Sequence, residues 1–156
     1  MYYISYGSNM NIEQMAWRCP ATKVYGNGKL KGWKLVFNYH ADIVEGNDDD
    51  SVPVVVWKLE NKDDMKNLDR YEGYPSYYTK INIPVTMDDT GETIEAMVYV
   101  MSDKRKGIFP PSQIYFDCIY DGYRDNGIDP EPLYKALEES LKADNITRYN
   151  QYNPKA

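Results

Sequence analysis

A single histidine, His40, and two cysteines, Cys19 and Cys118, are all that this chain offers to soft metals and redox chemistry. The two cysteines have no metal-ligand or CxxC spacing and do not make a disulfide framework. With one imidazole, a zinc site or a Ser-His-Asp triad has little material to draw on, and no metal or cofactor is expected. No run approaches the ~18 consecutive apolar residues of a membrane-spanning helix. A secretory leader does not fit either, because Asn9, Asn11 and Glu13 interrupt any apolar stretch near the start. Positive charge is also short: 18 Lys and Arg stand against 24 Asp and Glu, a formal charge of −6, which argues against a phosphate backbone as partner. The one short basic run, Lys104-Arg105-Lys106, reads as a solvated loop. The composition therefore points to a cytoplasmic protein with no nucleic-acid or membrane partner. Its 156 residues fit a single domain, 1–156, with a tail from about residue 145 that packs loosely or lies across the surface.

What the chain has in excess is tyrosine, 16 residues, which can fill the edge of a core and still present a hydroxyl to a polar cleft. Along the sequence, Tyr2-Tyr3-Ile4 reads as a strand and Asn11 to Arg18 as a helix. Gly26 to Gly32 reads as a loop with three glycines; it misses the dinucleotide fingerprint by one residue, and no Walker A sequence is present. Trp33 to Tyr39 and Val52 to Leu59 read as strands. Asn61 to Tyr71 reads as a helix capped by Asn61 and stopped by Gly73, with Met65, Leu68 and Tyr71 on one side. Tyr77 to Val85 and Thr93 to Met101 alternate and flank the turn signal Asp88 to Gly91, a long hairpin. Pro110 and Pro111 open a further helix with Tyr115, Cys118, Ile119, Gly122 and Tyr123 on one stripe. Asp129-Pro130 starts another, through Leu133, Leu137 and Leu141. The order predicts an α+β fold: a small mixed, mainly antiparallel β-barrel with flanking helices.

Two features carry chemistry. Tyr6-Gly7-Ser8-Asn9-Met10 follows the first strand and precedes a helix, so its backbone N–H groups form a cradle for a carboxylate or a developing oxyanion. The plain alternative is a tight turn at Gly7 with Asn9 capping the helix. Glu72 stands at the C-terminal end of a helix, where the macrodipole disfavours its charge, among Tyr71, Tyr74, Tyr77 and Tyr78. Dipole and burial would both raise its pKa, as a general base and acid requires. Its plain alternative is an exposed glutamate at a frayed helix end.

Five stretches in order resemble the γ-glutamylcyclotransferases and their AIG2-like relatives. They are Tyr6 to Met10, Leu30 to Phe37, Val55-Val56-Trp57, Leu68-Asp69-x-x-Glu72-Gly73 followed by Tyr78, and Pro111 to Tyr115. The resemblance runs from about Tyr2 to Leu137 and implies the barrel fold already read from the pattern. It further implies that Tyr6, Gly7, Ser8, Asn9 and Met10 grip a γ-glutamyl group, that Glu72 is the catalytic acid and base, and that Tyr78 and Tyr115 line the pocket. It implies a small-molecule γ-glutamyl substrate, release of 5-oxoproline, and a homodimer, although oligomeric state is not readable from the residues. Two departures stand out: Val54 replaces a frequent glycine, and Ala41 to Ser51 keeps only a fragment of the usual pattern beside an acidic loop. Two other functions stay open at this point. One keeps the site for γ-glutamyl amines or a biosynthetic γ-glutamyl protecting group; the other is a non-catalytic binding module for an amino-acid-like ligand.

Overall fold

A computed structural model describes residues 1–103 and 107–152, with side chains described through residue 145; Lys104-Arg105-Lys106 lies outside the described residues. In chain order the elements are β1 (Tyr2–Ser5), a 3-10 turn (Ser8–Met10), α1 (Ile12–Arg18), β2 (Lys23–Lys31), β3 (Trp33–Asn38), β4 (His40–Glu45), β5 (Ser51–Lys58), α2 (Lys62–Glu72), β6 (Tyr78–Met87), β7 (Thr93–Met101), α3 (Gln113–Asp125) and α4 (Glu131–Tyr152). Five strands close a barrel in the order β1-β5-β2-β6-β7, and β3 and β4 form a separate hairpin. All the barrel's pairs are antiparallel except β1 with β7, which closes it. No helix among the described residues is long and apolar enough to cross a membrane.

The valine-rich β5 explains itself through its place in this barrel. It lies between β1 and β2, and Val52, Val54, Val55 and Val56 are all fully buried, so both of its faces are covered. A strand buried on both sides reads as a continuous apolar run rather than an alternating one. Each such side chain contributes about 1.5–3 kcal/mol through burial. The predicted hairpin forms as β6 and β7, in register from Tyr78 opposite Met101 to Thr86 opposite Thr93.

The expected loop at Gly26 to Gly32 is instead most of β2. Glycine weakens a strand unless another backbone comes close, and here it does. A Cβ on Gly28 would fall 2.8 Å from Val85 Cγ2 and 2.9 Å from the Thr86 carbonyl oxygen. Part of the segment Ala41 to Ser51 is likewise a strand, β4, with Ala41, Asp42 and Ile43 buried. The acidic stretch is confined to the connection that follows it. The hairpin turn is held at Tyr39, whose backbone is left-handed (φ 61°) and whose ring stacks on Phe109 at 4.8 Å.

Helix ends depart from expectation by small steps. Asn11, not Asn9, caps α1, accepting from the Gln14 N–H at 2.9 Å. At α4, Asp129 accepts from the Glu131 N–H, and the helix starts one residue after Pro130. Leu133 and Ala136 bury as part of its inner face, but Ser140 takes the next buried place and Leu141 is 45% exposed.

Candidate active site

The helix α2 is built to end at one place. Asn61 caps its start by accepting from Asp63 N–H, Leu68 anchors it in the core, and Gly73 ends it in a left-handed conformation (φ 62°). A side chain on Gly73 would be strained, and its Cβ would stand 2.6 Å from the Tyr77 ring. The final turn is tied to the barrel through Asp69, which accepts from the Tyr99 hydroxyl at 2.5 Å and pairs with Lys80 at 2.8 Å. Glu72 is thereby delivered to a cleft of about 410 Å³.

Opposite stands the turn after β1. The Met10 and Asn11 N–H groups are used within it, donating to the carbonyls of Gly7 and Ser8. The N–H groups of Gly7, Ser8 and Asn9 donate to no carbonyl among the described residues. Helix α3 clamps the turn from behind. A Cβ on Gly122 would lie 2.8 Å from the Met10 carbonyl carbon; Asn126 donates to Met10 O, and Asn11 donates to Cys118 O.

Tyr6, Gly7, Ser8 and Asn9 line the cleft together with Glu72, while Met10 is fully buried outside it. The Tyr6 hydroxyl is committed to the Tyr99 carbonyl at 2.7 Å, so that ring braces the turn. Tyr78 and Tyr115 both line the cleft and hold the same residue: Tyr78 donates to Ala41 O at 2.8 Å, and Ala41 N–H donates to the Tyr115 oxygen at 3.0 Å. Of the site residues read from the sequence, all but Met10 line one cavity.

Burial pushes the Glu72 carboxyl up to about 7, with the nearby Arg18 charge working in the opposite direction. Burial also raises the phenols of Tyr3, Tyr6, Tyr78, Tyr99 and Tyr115, which act as neutral donors and acceptors. Seven of the 16 tyrosines line the cleft, so the tyrosine excess is spent on this wall. Sequence reasoning missed Tyr3, Tyr99 and His40 in the lining and Arg18 behind it. The sequence offers His40 no histidine or metal-ligand partner, yet the β3–β4 turn carries it to the rim, edge-on to Tyr115. The acidic connection after β4 takes no part in the lining; His40 and Ala41 do.

The family model "Gamma-glutamyl cyclotransferase, AIG2-like" matches residues 3–116. The chain is 31% identical over 153 residues to the Homo sapiens gamma-glutamylcyclotransferase, covering 90% of this chain and 77% of that protein. It is also 31% identical over 141 residues to the Bos taurus gamma-glutamylcyclotransferase, covering 83% and 73%. A solved gamma-glutamyl cyclotransferase structure superposes with a TM-score of 0.74 at 27% identity, over 92% of this chain and 86% of that one. A human crystal structure gives 0.73 at 29%, over 92% and 85%. By sequence and by fold, the chain belongs to the gamma-glutamyl cyclotransferase, AIG2-like family.

Proposed function

We propose that this enzyme converts a γ-glutamyl peptide or amide into 5-oxoproline and a free amine, with Glu72 carrying the proton. In such a substrate the α-amine and the γ-carbonyl belong to one molecule, and their union closes a five-membered ring. The protein's main task is to hold the bent conformer. Glu72, as a carboxylate, takes a proton from the α-ammonium group. The freed lone pair forms the new C–N bond at the γ-carbon, and the carbonyl electron pair moves onto oxygen. The N–H groups of Gly7, Ser8 and Asn9 stabilise that oxyanion. Its collapse breaks the bond to the leaving amine, which receives the proton from Glu72. The carboxylate so regenerated takes the second proton from the ring nitrogen, leaving the neutral lactam, and passes it to the departing amine or to water.

Tyr78 and Tyr115 flank the γ-glutamyl group in this reading. Tyr115 keeps its own proton to donate, because its oxygen already accepts from Ala41 N–H. Tyr6 and Met10 serve by bracing the turn, through Tyr99 O and Gly7 O respectively. The observation that carries the reading is a carboxylate with a pKa near 7 sharing one cleft with three residues whose N–H groups have no carbonyl partner among the described residues. A base poised near the working pH transfers protons most effectively in both directions.

Glu72→Gln keeps the shape and removes the proton shuttle. Release of 5-oxoproline from γ-glutamyl dipeptides should fall by about 10²–10⁴-fold, with the far-UV spectrum unchanged. Undiminished turnover in that variant rejects the assignment. Turnover of γ-glutamyl amines measured in parallel assigns the leaving group. A cytoplasmic setting and a homodimer belong to the same reading; sedimentation of the purified protein checks the latter.

A further inference from the structure

Arg18 ends α1, a position where a cation is favoured and ordinarily reaches into solvent. Here the guanidinium turns back onto the turn that precedes the helix. Its Nη1 donates to Ser8 Oγ at 3.2 Å and to Asn9 Oδ1, and its central carbon lies 3.1 Å from the centre of the Tyr71 ring. Its backbone carbonyl accepts from Asn67 Nδ2 of α2. One residue therefore touches the cradle, the neighbour of Glu72 and the helix that carries both.

The Asn9 side chain, only 2% exposed, completes the connection. Its oxygen faces Arg18, so its Nδ2 must face the other way. There it donates to the Tyr3 hydroxyl at 2.9 Å and to Glu72 Oε1 at 3.4 Å. An amide has one acceptor end and one donor end, so a cation at the first dictates what the second meets. Arg18 itself does not line the cleft.

We propose that Arg18 is a positioning residue for ring closure: it orients the Asn9 amide toward Glu72 and ties both to the backbone cradle without touching substrate. This rests on Glu72 being the acid and base. The charge has a second consequence. Desolvation raises Glu72, and Arg18 is the opposing influence; reciprocally, burial lowers Arg18 while Glu72 supports its charge. Without Arg18 the carboxylate would titrate higher, and less of it would be ionised at neutral pH.

The other groups facing Glu72 do not replace that cation. Tyr3 from β1, Tyr78 from β6, Tyr99 from β7 and Tyr115 from α3 are neutral phenols raised by burial. Asp69, one turn earlier on α2, is paired with Lys80. Arg70 and His40 line the same cleft from α2 and β4, but Arg18 is the charge that acts on Glu72.

The test measures kcat, KM and the pH profile of kcat/KM for Arg18→Met and Arg18→Lys, each with and without His40→Asn. In Arg18→Met the acid limb should move up by about one pH unit, the usual size of an opposite-charge effect at close range. Its kcat should fall at least tenfold while KM changes less than threefold. Arg18→Lys should return the limb to its original place but recover only part of kcat, because an ammonium cannot reproduce the planar fork and stack. An unmoved limb in folded Arg18→Met, or a shift that disappears with His40→Asn, overturns the proposal. If Arg18→Met does not fold, Arg18→Lys decides: reduced kcat with the limb retained supports it, and wild-type constants or a loss confined to KM overturn it. Full activity in Glu72→Gln would instead reject the underlying mechanism.

Discussion

The two sides of the cleft are made differently. The proposed cradle, Gly7 to Asn9, is a backbone turn whose N–H groups donate to no carbonyl among the described residues, and it is held by α3, by Arg18 and by the Tyr6 hydroxyl. The rim, formed by Arg70, Tyr71, Tyr77 and His40, consists of exposed side chains. A rigid backbone surface suits the part of a substrate that never changes. Exposed side chains can be exchanged with little effect on the fold, so they suit the part that varies. In the proposed reaction the cradle recognises the glutamyl group and the rim meets the leaving amine.

The comparison can be broken at its rigid side first. Gly7→Val places a Cβ 3.2 Å from Ala41 Cβ and 3.3 Å from the Tyr115 hydroxyl, with two methyl groups still to fit. It should reduce kcat/KM by about 10²–10³-fold, the value of a lost oxyanion donor, for every γ-glutamyl substrate alike. A loss that depends on the leaving group would contradict the division between the two sides. Gly122→Ala acts one layer back. Its Cβ would meet the Met10 backbone at 2.8 Å, so the turn or α3 must move, at a cost of about 1–3 kcal/mol. Thermal unfolding should register that loss, with activity reduced even at temperatures where the variant is folded. Arg70→Met tests the open side and should have the smallest effect. Its stability should stay within about 0.5 kcal/mol of wild type, and KM should change a few-fold, by an amount that depends on whether the leaving group is charged.

The same contrast governs what could be read from the sequence. Helix α2 was legible because its signals are local: Asn61 before it, Gly73 after it, Leu68 between. The cradle and Glu72 were legible as separate features, one from a strand-glycine-helix pattern and one from a carboxylate at a helix end. β2 was not, because the close approach of Val85 and Thr86 that makes Gly28 necessary comes from residues far along the chain. β4 was hidden by Asp42, a carboxylate in a buried position that accepts from Met101 N–H. Tyr71 was expected beside Met65 and Leu68 on the apolar side; it is 54% exposed and carries the Arg18 guanidinium on its face. Arg18 itself looks like any cation in a last helical turn. Its role depends on a turn ten residues earlier and a helix that ends at Glu72, and no periodicity reports that meeting.

The parallel pairing of β1 with β7 bears on when the site can exist at all. Tyr3 is bracketed by Trp57 of β5 on one side and Met97 of β7 on the other. Parallel partners cannot be joined by a tight turn, so this closure spans a long stretch of chain and is entropically slow. The cradle follows β1 directly, yet the barrel around it cannot close before Thr93–Met101 has been made. The α3 clamp at Gly122 is synthesised later still. During translation the Gly7 to Asn9 turn is made long before β7 and α3, so a growing chain carries the proposed cradle well before the barrel that would shape it exists.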